Sequence, residues 1–216
     1  MTRPGGSWTQ TRPGGVILTD LKTSLMAGSL VRLTRYPDRA EGHFDPTYAA
    51  FMGLRHHAAG QGPAPRPGPR RQHASEPAHR TTTLDPRTLW TSLIVWFLAS
   101  FDLGCDITLG YTGFTDSQPT ATSITIGDGS WAQVSLADDH GAHRVTEAGP
   151  TRVWRIIEAA HARWTELDRP GWGRFGLTVT EHHQQVWLDT PTNQHTWPLP
   201  SNRAAKAMTT ADASRR

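Results

Sequence analysis

The fold is decided by residues 12–55, which read RPGGVILTDLKTSLMAGSLVRLTRYPDRAEGHFDPTYAAFMGLR. Residues 14–15 are a Gly-Gly turn signal, and the apolar run at 16–18 that follows them is typical of a buried strand. Gly28 precedes a second strand pattern at 30–33. Because two strands alone are only marginally stable in water, either the chain pairs these strands with others elsewhere, or the segment is the closing part of a larger sheet whose earlier strands are missing.

The same segment carries a family resemblance. Residues 13–18, PGGVIL, resemble the turn that opens the sixth strand of the protein-L-isoaspartate O-methyltransferase family, which has a class I S-adenosylmethionine-dependent fold. Residues 29–35, SLVRLTR, resemble its seventh strand, and residues 51–54, FMGL, resemble the short element that closes the domain. The resemblance covers about residues 12–55 and, more loosely, 86–200.

A second group of motifs narrows the resemblance. Residues 51–55, FMGLR, and residues 171–179, GWGRFGLTV, together resemble an extended, actinobacterial-type subgroup with an extra C-terminal domain. Members of that subgroup methylate ribosomally made, modified peptides. The resemblance therefore implies transfer of a methyl group from S-adenosylmethionine to a peptide carboxylate, with the C-terminal domain helping to hold the peptide.

The cofactor-binding part of such an enzyme is expected to be missing. In the family, the glycine-rich cofactor loop and the catalytic hydroxyl precede the matched strands, and no GxGxG-type run follows a strand upstream of Arg12. We therefore predict a truncated chain with no catalytic and no cofactor-binding residue of its own. S-adenosylmethionine is the expected cofactor of intact relatives and not of this chain alone.

Three cations are candidate substrate contacts for an acidic peptide. Lys22 follows the end of the first strand, where doubly wound folds place ligands. Arg55 ends the matched segment, and Arg174 lies beside a tryptophan between two glycines. For each, the alternative is an ordinary exposed surface cation.

Composition excludes several classes of protein. The formal net charge is +3, but the arginines concentrate in the predicted linker and tail rather than in a stripe with stacking aromatics, so nucleic-acid binding is not expected. The single cysteine, Cys105, excludes an internal disulfide and a multi-cysteine zinc site, and no metal site is predicted. It fits a reducing compartment, and we predict a cytoplasmic protein. The apolar run at 93–99 is shorter than the ~20 residues of a membrane span.

Two stretches lack apolar periodicity. Residues 57–80 are rich in proline, glycine and arginine, HAAGQGPAPRPGPRRQHASEPAHR, and bury too little surface to offset their ordering entropy. We predict a disordered linker at 56–83 and a disordered tail at 201–216. A tether between folded pieces is the favoured interpretation of the linker, and a proline-rich docking motif is the alternative.

Residues 84–200 predict a second folded piece. Asp85 and Pro86 are a helix cap and first helical position for an apolar-faced helix that continues to Phe101. An antiparallel meander, a helix from Pro150 and a final hairpin follow. The predicted class is α+β: the terminal strands of a truncated class I methyltransferase sheet at 1–55, the linker, then a small antiparallel-sheet domain with two helices.

The second folded piece offers few candidate functional residues. The acid–histidine runs at 138–140 and 181–183 have metal or acid–base side chains, but adjacent residues in a hairpin turn rarely converge on one ion. Trp172, between two glycines, is expected to anchor the core rather than to contact a peptide. The alternative to the methyltransferase interpretation is a non-catalytic peptide-binding or accessory module. The exposed strands of such a module would pair with a partner chain and complete a sheet.

Overall fold

The computed structural model describes residues 8–24, 27–49, 76–104 and 107–199. Within these ranges the chain is a mixed α+β protein with antiparallel sheets and three α-helices, which confirms the predicted class. The strands are β1 (Val16–Ser24), β2 (Ala27–Arg35), β3 (Ala40–Phe44), β4 (Ala78–Thr82), β5 (Ile107–Thr115), β6 (Gln118–Ile126), β7 (Trp131–Ser135), β8 (His143–Ala148), β9 (Phe175–Val179), β10 (Gln184–Leu188) and β11 (Thr196–Leu199). The helices are α1 (Thr88–Thr91), α2 (Leu93–Leu103) and α3 (Val153–Glu166).

The chain divides into two compact units. The first comprises residues 22–28 and 52–169, and the second comprises residues 2–21, 29–51 and 170–216, in each case as far as the structure describes them. This division differs from the predicted boundaries, which placed residues 1–55 in one domain and 84–200 in another. The reason is that β9, β10 and β11 join the N-terminal strands, because β3 pairs with β9.

The first unit contains a five-stranded sheet in the order β4-β8-β7-β6-β5. Strands β5 to β8 are consecutive antiparallel neighbours, so the predicted meander is confirmed. The turn between β6 and β7 depends on Gly129, which has φ of 84°, and on Asp128, whose carboxylate accepts a hydrogen bond from the Ser130 amide at 2.7 Å. Glycine adopts this left-handed conformation without a steric penalty.

Strand β4 corrects the predicted linker. Residues 78–82 were assigned to the linker at 56–83, yet they pair antiparallel with β8 from Ala78↔Glu147 to Thr82↔His143. The segment has little apolar periodicity of its own, and the neighbouring strand supplies its hydrogen bonds. The rest of the predicted linker, the closing element at 51–54 and the tail lie outside the described residues.

The predicted helix from Pro86 to Phe101 is two helices. Helix α1 ends at Thr91, and the next residue, Ser92, has φ of −121° and ψ of 84° and donates its amide hydrogen to the carbonyl of Thr88. Helix α2 then begins at Leu93 and is buried along most of its length. The helix predicted to start at Pro150 begins three residues later, at Val153, and buries Val153, Ile157 and Ala160 as its periodicity predicts.

A buried carboxylate joins β4, β8 and α3 in the first unit. Glu147 is 1% exposed; its Oε1 lies 3.2 Å from Nε of Arg80, and its Oε2 accepts the Trp154 amide of α3 at 3.3 Å. Arg80 also reaches Glu158 at 2.9 Å. Partial burial by itself lowers the pKa of the Arg80 guanidinium, but its hydrogen bonds to Glu158 and Glu147 outweigh that effect and raise the pKa.

The second unit contains a six-stranded sheet in the order β1-β2-β3-β9-β10-β11. The two predicted N-terminal strands are neighbours in it, and both are longer than their apolar runs. The prediction that the run at 16–18 is buried is wrong: Val16 and Leu18 are 50% and 60% exposed, because β1 is the edge strand and has a neighbouring strand on one side only. One face is apolar and includes Phe175, Leu177 and Val179, which share that face as the period of two predicts. Trp172 belongs to this core, 6% exposed and stacked on Phe44 with ring centroids 5.7 Å apart, so the prediction of core anchoring is confirmed.

Candidate functional site

The polar face of the six-stranded sheet carries two rows of cross-strand partners. The first row runs from Arg32 through His43 and Gly176 to Trp187. The second row runs from Thr34 through Glu41 and Thr178 to Gln185. Side chains in one row lie on the same face because alternate residues of paired strands point the same way.

Gly176 makes room for a large ring on this face. A Cβ atom at Gly176 would lie 2.1 Å from the indole of Trp187, far inside van der Waals contact. The indole therefore lies across the glycine, is 2% exposed, and meets His43 edge to face with centroids 4.8 Å apart. A glycine in a strand interior marks such a close approach.

Hydrogen bonds hold the indole in this position. Nε1 of Trp187 donates to Oγ1 of Thr178 at 2.9 Å, and the same hydroxyl donates to Oε2 of Glu41 at 2.8 Å. Nε of Arg39 also donates to Oε2 of Glu41, at 3.3 Å. The guanidinium of Arg39 lies over the ring of Tyr36, with its Cζ 4.7 Å from the ring centroid. The tryptophan is thus fixed by a chain of partners that ends on a charged pair.

A cavity of about 510 Å³ opens on this face, and we call it the polar-face cavity. Its volume lies within the range of ~300–1,000 Å³ that is usual for small-ligand sites. It lies between the end of β3 and the residues that follow β10. Its chemically distinctive lining side chains are Arg32, Tyr36, Glu41, His43, Trp187 and Asp189.

The carboxylates of the polar-face cavity already have partners. Glu41 accepts from Thr178 and Arg39, Asp45 accepts the Thr47 amide at 2.9 Å, and Asp189 pairs with Arg174. Arg32 differs, because it is exposed and no residue in the described ranges pairs with its guanidinium. An unpaired guanidinium beside engaged carboxylates is available to a carboxylate from outside the protein.

Arg174 and Asp189 form a two-pronged ion pair at the rim of the cavity. Nε of Arg174 donates to Oδ1 of Asp189 at 2.8 Å, and Nη2 donates to Oδ2 at 2.9 Å. The Arg174 hydrogen bond lowers the pKa of the Asp189 carboxyl below its ordinary value. Both side chains are about 40% exposed, at 42% and 40%, so solvent screens the pair and its contribution to stability is small.

We expect the Asp189 pair to titrate below the ordinary range of an aspartate, about 3.9. Because the folded pKa is the lower one, the pair contributes stability above the unfolded pKa, and this is lost as the pH falls through the folded pKa. Carbon-detected NMR of the Asp189 carboxyl should show its midpoint rising toward the ordinary value in Arg174→Gln. Arg39→Gln is the control that should leave it unchanged. An identical midpoint in wild type and Arg174→Gln contradicts the assignment.

The predicted substrate contacts are not brought together in this site. Lys22 lies in the part of the β1–β2 hairpin that belongs to the first unit, and Arg55 lies outside the described residues. Arg174 is engaged by Asp189 and is not among the residues that line the cavity. A substrate role for these three residues remains a prediction.

The acid–histidine runs are turns, as expected. Asp138 accepts the Gly141 amide within its own turn, and His140 has φ of 54°. His183 contacts the hydroxyl of Thr180 at 2.9 Å across the β9–β10 turn. Among the described residues, no three His, Cys, Asp or Glu side chains are placed to hold a metal ion. Cys105 lies outside the described ranges.

Sequence analysis missed Arg32, His43 and Trp187. A signal was present in and just after β10, where Gln185, Trp187 and then Asp189 alternate with the apolar Val186 and Leu188. A tryptophan among the polar positions of a strand is unusual enough to be singled out, and the preceding strand of the hairpin has a glycine, Gly176, in its interior. Which residues it meets depends on strand pairing that the alternation does not specify.

Comparisons with protein-family models, with curated proteins and with solved structures found no match to the chain. No helix in the described ranges is long and apolar enough to cross a membrane.

Proposed function

We propose that this chain is the substrate-side portion of an S-adenosylmethionine-dependent peptide carboxyl O-methyltransferase, and that it holds an acidic peptide in the polar-face cavity. The observation that carries the proposal is which charged side chains of the cavity have partners within the protein. Arg32 has no partner among the described residues, whereas Glu41, Asp45 and Asp189 are all hydrogen-bonded within the protein. A side-chain carboxylate matches the forked donor geometry of such a guanidinium.

The arrangement of the resembling segments supports the methyltransferase assignment. Residues 13–18 contain the turn before β1 and its first residues, and residues 29–35 form most of β2, its neighbour in the six-stranded sheet. Residues 171–179 include β9 of the same sheet. Segments that are distant in sequence therefore meet in one sheet, as parts of one substrate-binding unit would, and residues 29–35 contribute Arg32 and Thr34 to the lining of the polar-face cavity.

Methyl transfer to a carboxylate depends more on orienting the nucleophilic oxygen than on activating it. An ionised carboxylate is already a nucleophile, so a binding site contributes by holding its oxygen in line with the methyl donor. Arg32 would bind the carboxylate, the exposed rings of His43 and Tyr36 would contact the neighbouring peptide groups, and the buried Trp187 would support His43 from below. These are positioning roles.

The described residues do not fit the cofactor itself. A nucleotide cradle needs a glycine-rich turn between a strand and a helix. The connection from β4 to α1 reads TLDPR without a glycine, and the connection from β8 to α3 reads GPTR with one. We therefore assign no step of the reaction that involves S-adenosylmethionine to these residues.

A calorimetric titration with two matched peptides tests the proposal. A short peptide with one aspartate should bind, and the same peptide with asparagine should bind at least about fivefold more weakly, which corresponds to ~1 kcal/mol for a screened charged contact. Arg32→Gln should weaken binding of the aspartate peptide by the same factor and leave the asparagine peptide unchanged. Arg144→Gln, an exposed arginine of the first unit, is the control.

The alternative is an accessory module that pairs through β1. This strand is at the edge of its sheet, and Val16 and Leu18 are 50% and 60% exposed. Such an edge can accept a strand from another polypeptide. The same titration separates the two functions, because strand pairing does not depend on the peptide carboxylate. Equal affinities for both peptides, unaffected by Arg32→Gln, would favour the module and reject carboxylate recognition.

A further inference from the structure

The first unit exposes a pair of stacked aromatic rings. Trp90 of α1 and Tyr111 of β5 are 38% and 44% exposed, and their ring centroids lie 4.9 Å apart at an interplanar angle of 22°. Strand β5 is the outer strand of its sheet, so no described strand lies beyond Tyr111. A ridge of this kind, open on one side, offers the flat apolar surface on which proline rings pack.

We propose that the proline-rich segment at 63–69 of this same chain docks on the Trp90–Tyr111 ridge. The segment reads PAPRPGP and lies outside the described residues. Proline at every second position favours the extended polyproline II conformation, which loses little entropy on binding and which aromatic grooves recognise. The segment is thus an internal ligand of the first unit as well as a connection.

The length of chain between the segment and the unit permits this contact. Glu76 is the first described residue after the segment and lies next to β4. Strands β4 and β5 are at opposite edges of the five-stranded sheet. Four strand spacings correspond to ~19 Å across the sheet. Arg80 lies in the same cross-strand row as Tyr111, and Glu76 precedes it by four residues, or ~13 Å, so the direct separation is about 23 Å. The nine residues from Pro67, within the segment, to Glu76 span ~28 Å at the polyproline II rise of ~3.1 Å per residue, which is enough to cover this separation.

Charge at the end of β5 favours the same occupant. Arg66, Arg70 and Arg71 accompany the prolines, whereas Asp116 immediately follows β5. Asp116 is exposed, and no residue in the part of the chain that the structure describes pairs with it. Opposite charges outside an apolar contact steer the approach of the two surfaces.

Limited trypsin digestion of the full chain tests the docking. The bonds after Arg70 and Arg71 border the proline segment, so docking should slow their cleavage. We expect Trp90→Ser and Tyr111→Ser each to speed cleavage at these bonds about fivefold or more, since cleavage follows the undocked population. Pro65→Ser combined with Pro67→Ser should have the same effect without touching the folded unit.

The matched control is Phe114→Ser, which removes a 67% exposed aromatic of the same strand that does not stack on Trp90. Its cleavage rate should equal that of the wild type. A synthetic peptide of residues 61–72 added in excess should displace the segment and speed cleavage. Equal rates in the wild type and in all ridge and proline variants would overturn the proposal. Protection that disappears on dilution would also overturn it, because the occupant would then belong to a second copy.

Discussion

Gly176→Ala is expected to lower the free energy of unfolding of the second unit by about 3 kcal/mol, at the upper end of the cost of overpacking. The new methyl group would be placed 2.1 Å from the Trp187 ring. That ring is not a flexible chain end that swings away: it is 2% exposed and its Nε1 is hydrogen-bonded to Thr178. Relief therefore requires the indole to leave the sheet and break its contacts with Thr178 and His43.

Urea denaturation of wild type, variant and control measures this effect. Gly171→Ala is the matched control, since a Cβ there meets nothing within 4 Å and its φ of −77° suits any residue. It should change stability by less than about 0.5 kcal/mol. Trp187→Leu alone is expected to cost ~3 kcal/mol, and combination with Gly176→Ala should cost much less than the sum. Additive costs would show that the two residues do not share this contact.

Glu147→Ala is the second large effect, with an expected loss of about 3 kcal/mol in the first unit. Removal of the 1% exposed carboxylate leaves Arg80 without one of its two acidic partners and leaves the Trp154 amide without its acceptor. Removing one member of a buried ion pair costs ~3–5 kcal/mol. The remaining Arg80–Glu158 pair places the estimate at the lower end of that range.

Glu158→Ala provides the contrast for Glu147→Ala. Its side chain is 29% exposed and contacts the same arginine, but solvent can replace it, so the expected cost is below about 1 kcal/mol. Denaturation curves give both values, and hydrogen exchange of β8 and α3 amides shows whether the loss is local to this unit. Equal costs for the two glutamates would contradict the role assigned to burial.

Local patterns predicted several elements of the fold. Alternation and turn residues predicted β1, β2, the meander and the β9–β10 hairpin, because each depends on neighbours only a few residues away. The break at Ser92 was not predicted, since the apolar pattern continues through it with no proline or glycine. Strand β4 was not predicted either, because its polar residues become a strand only through pairing with β8.

The sequence by itself determined the α+β class, the shared apolar face of Phe175, Leu177 and Val179, and the turns that join adjacent strands. Only the tertiary structure decided that β3 pairs with β9, that Gly176 lies between His43 and Trp187, and that Arg174 is occupied by Asp189. The physical reason is that a period of two specifies which side of a strand is buried but not which distant strand lies beside it. That choice depends on the burial and hydrogen bonding of the whole sheet at once.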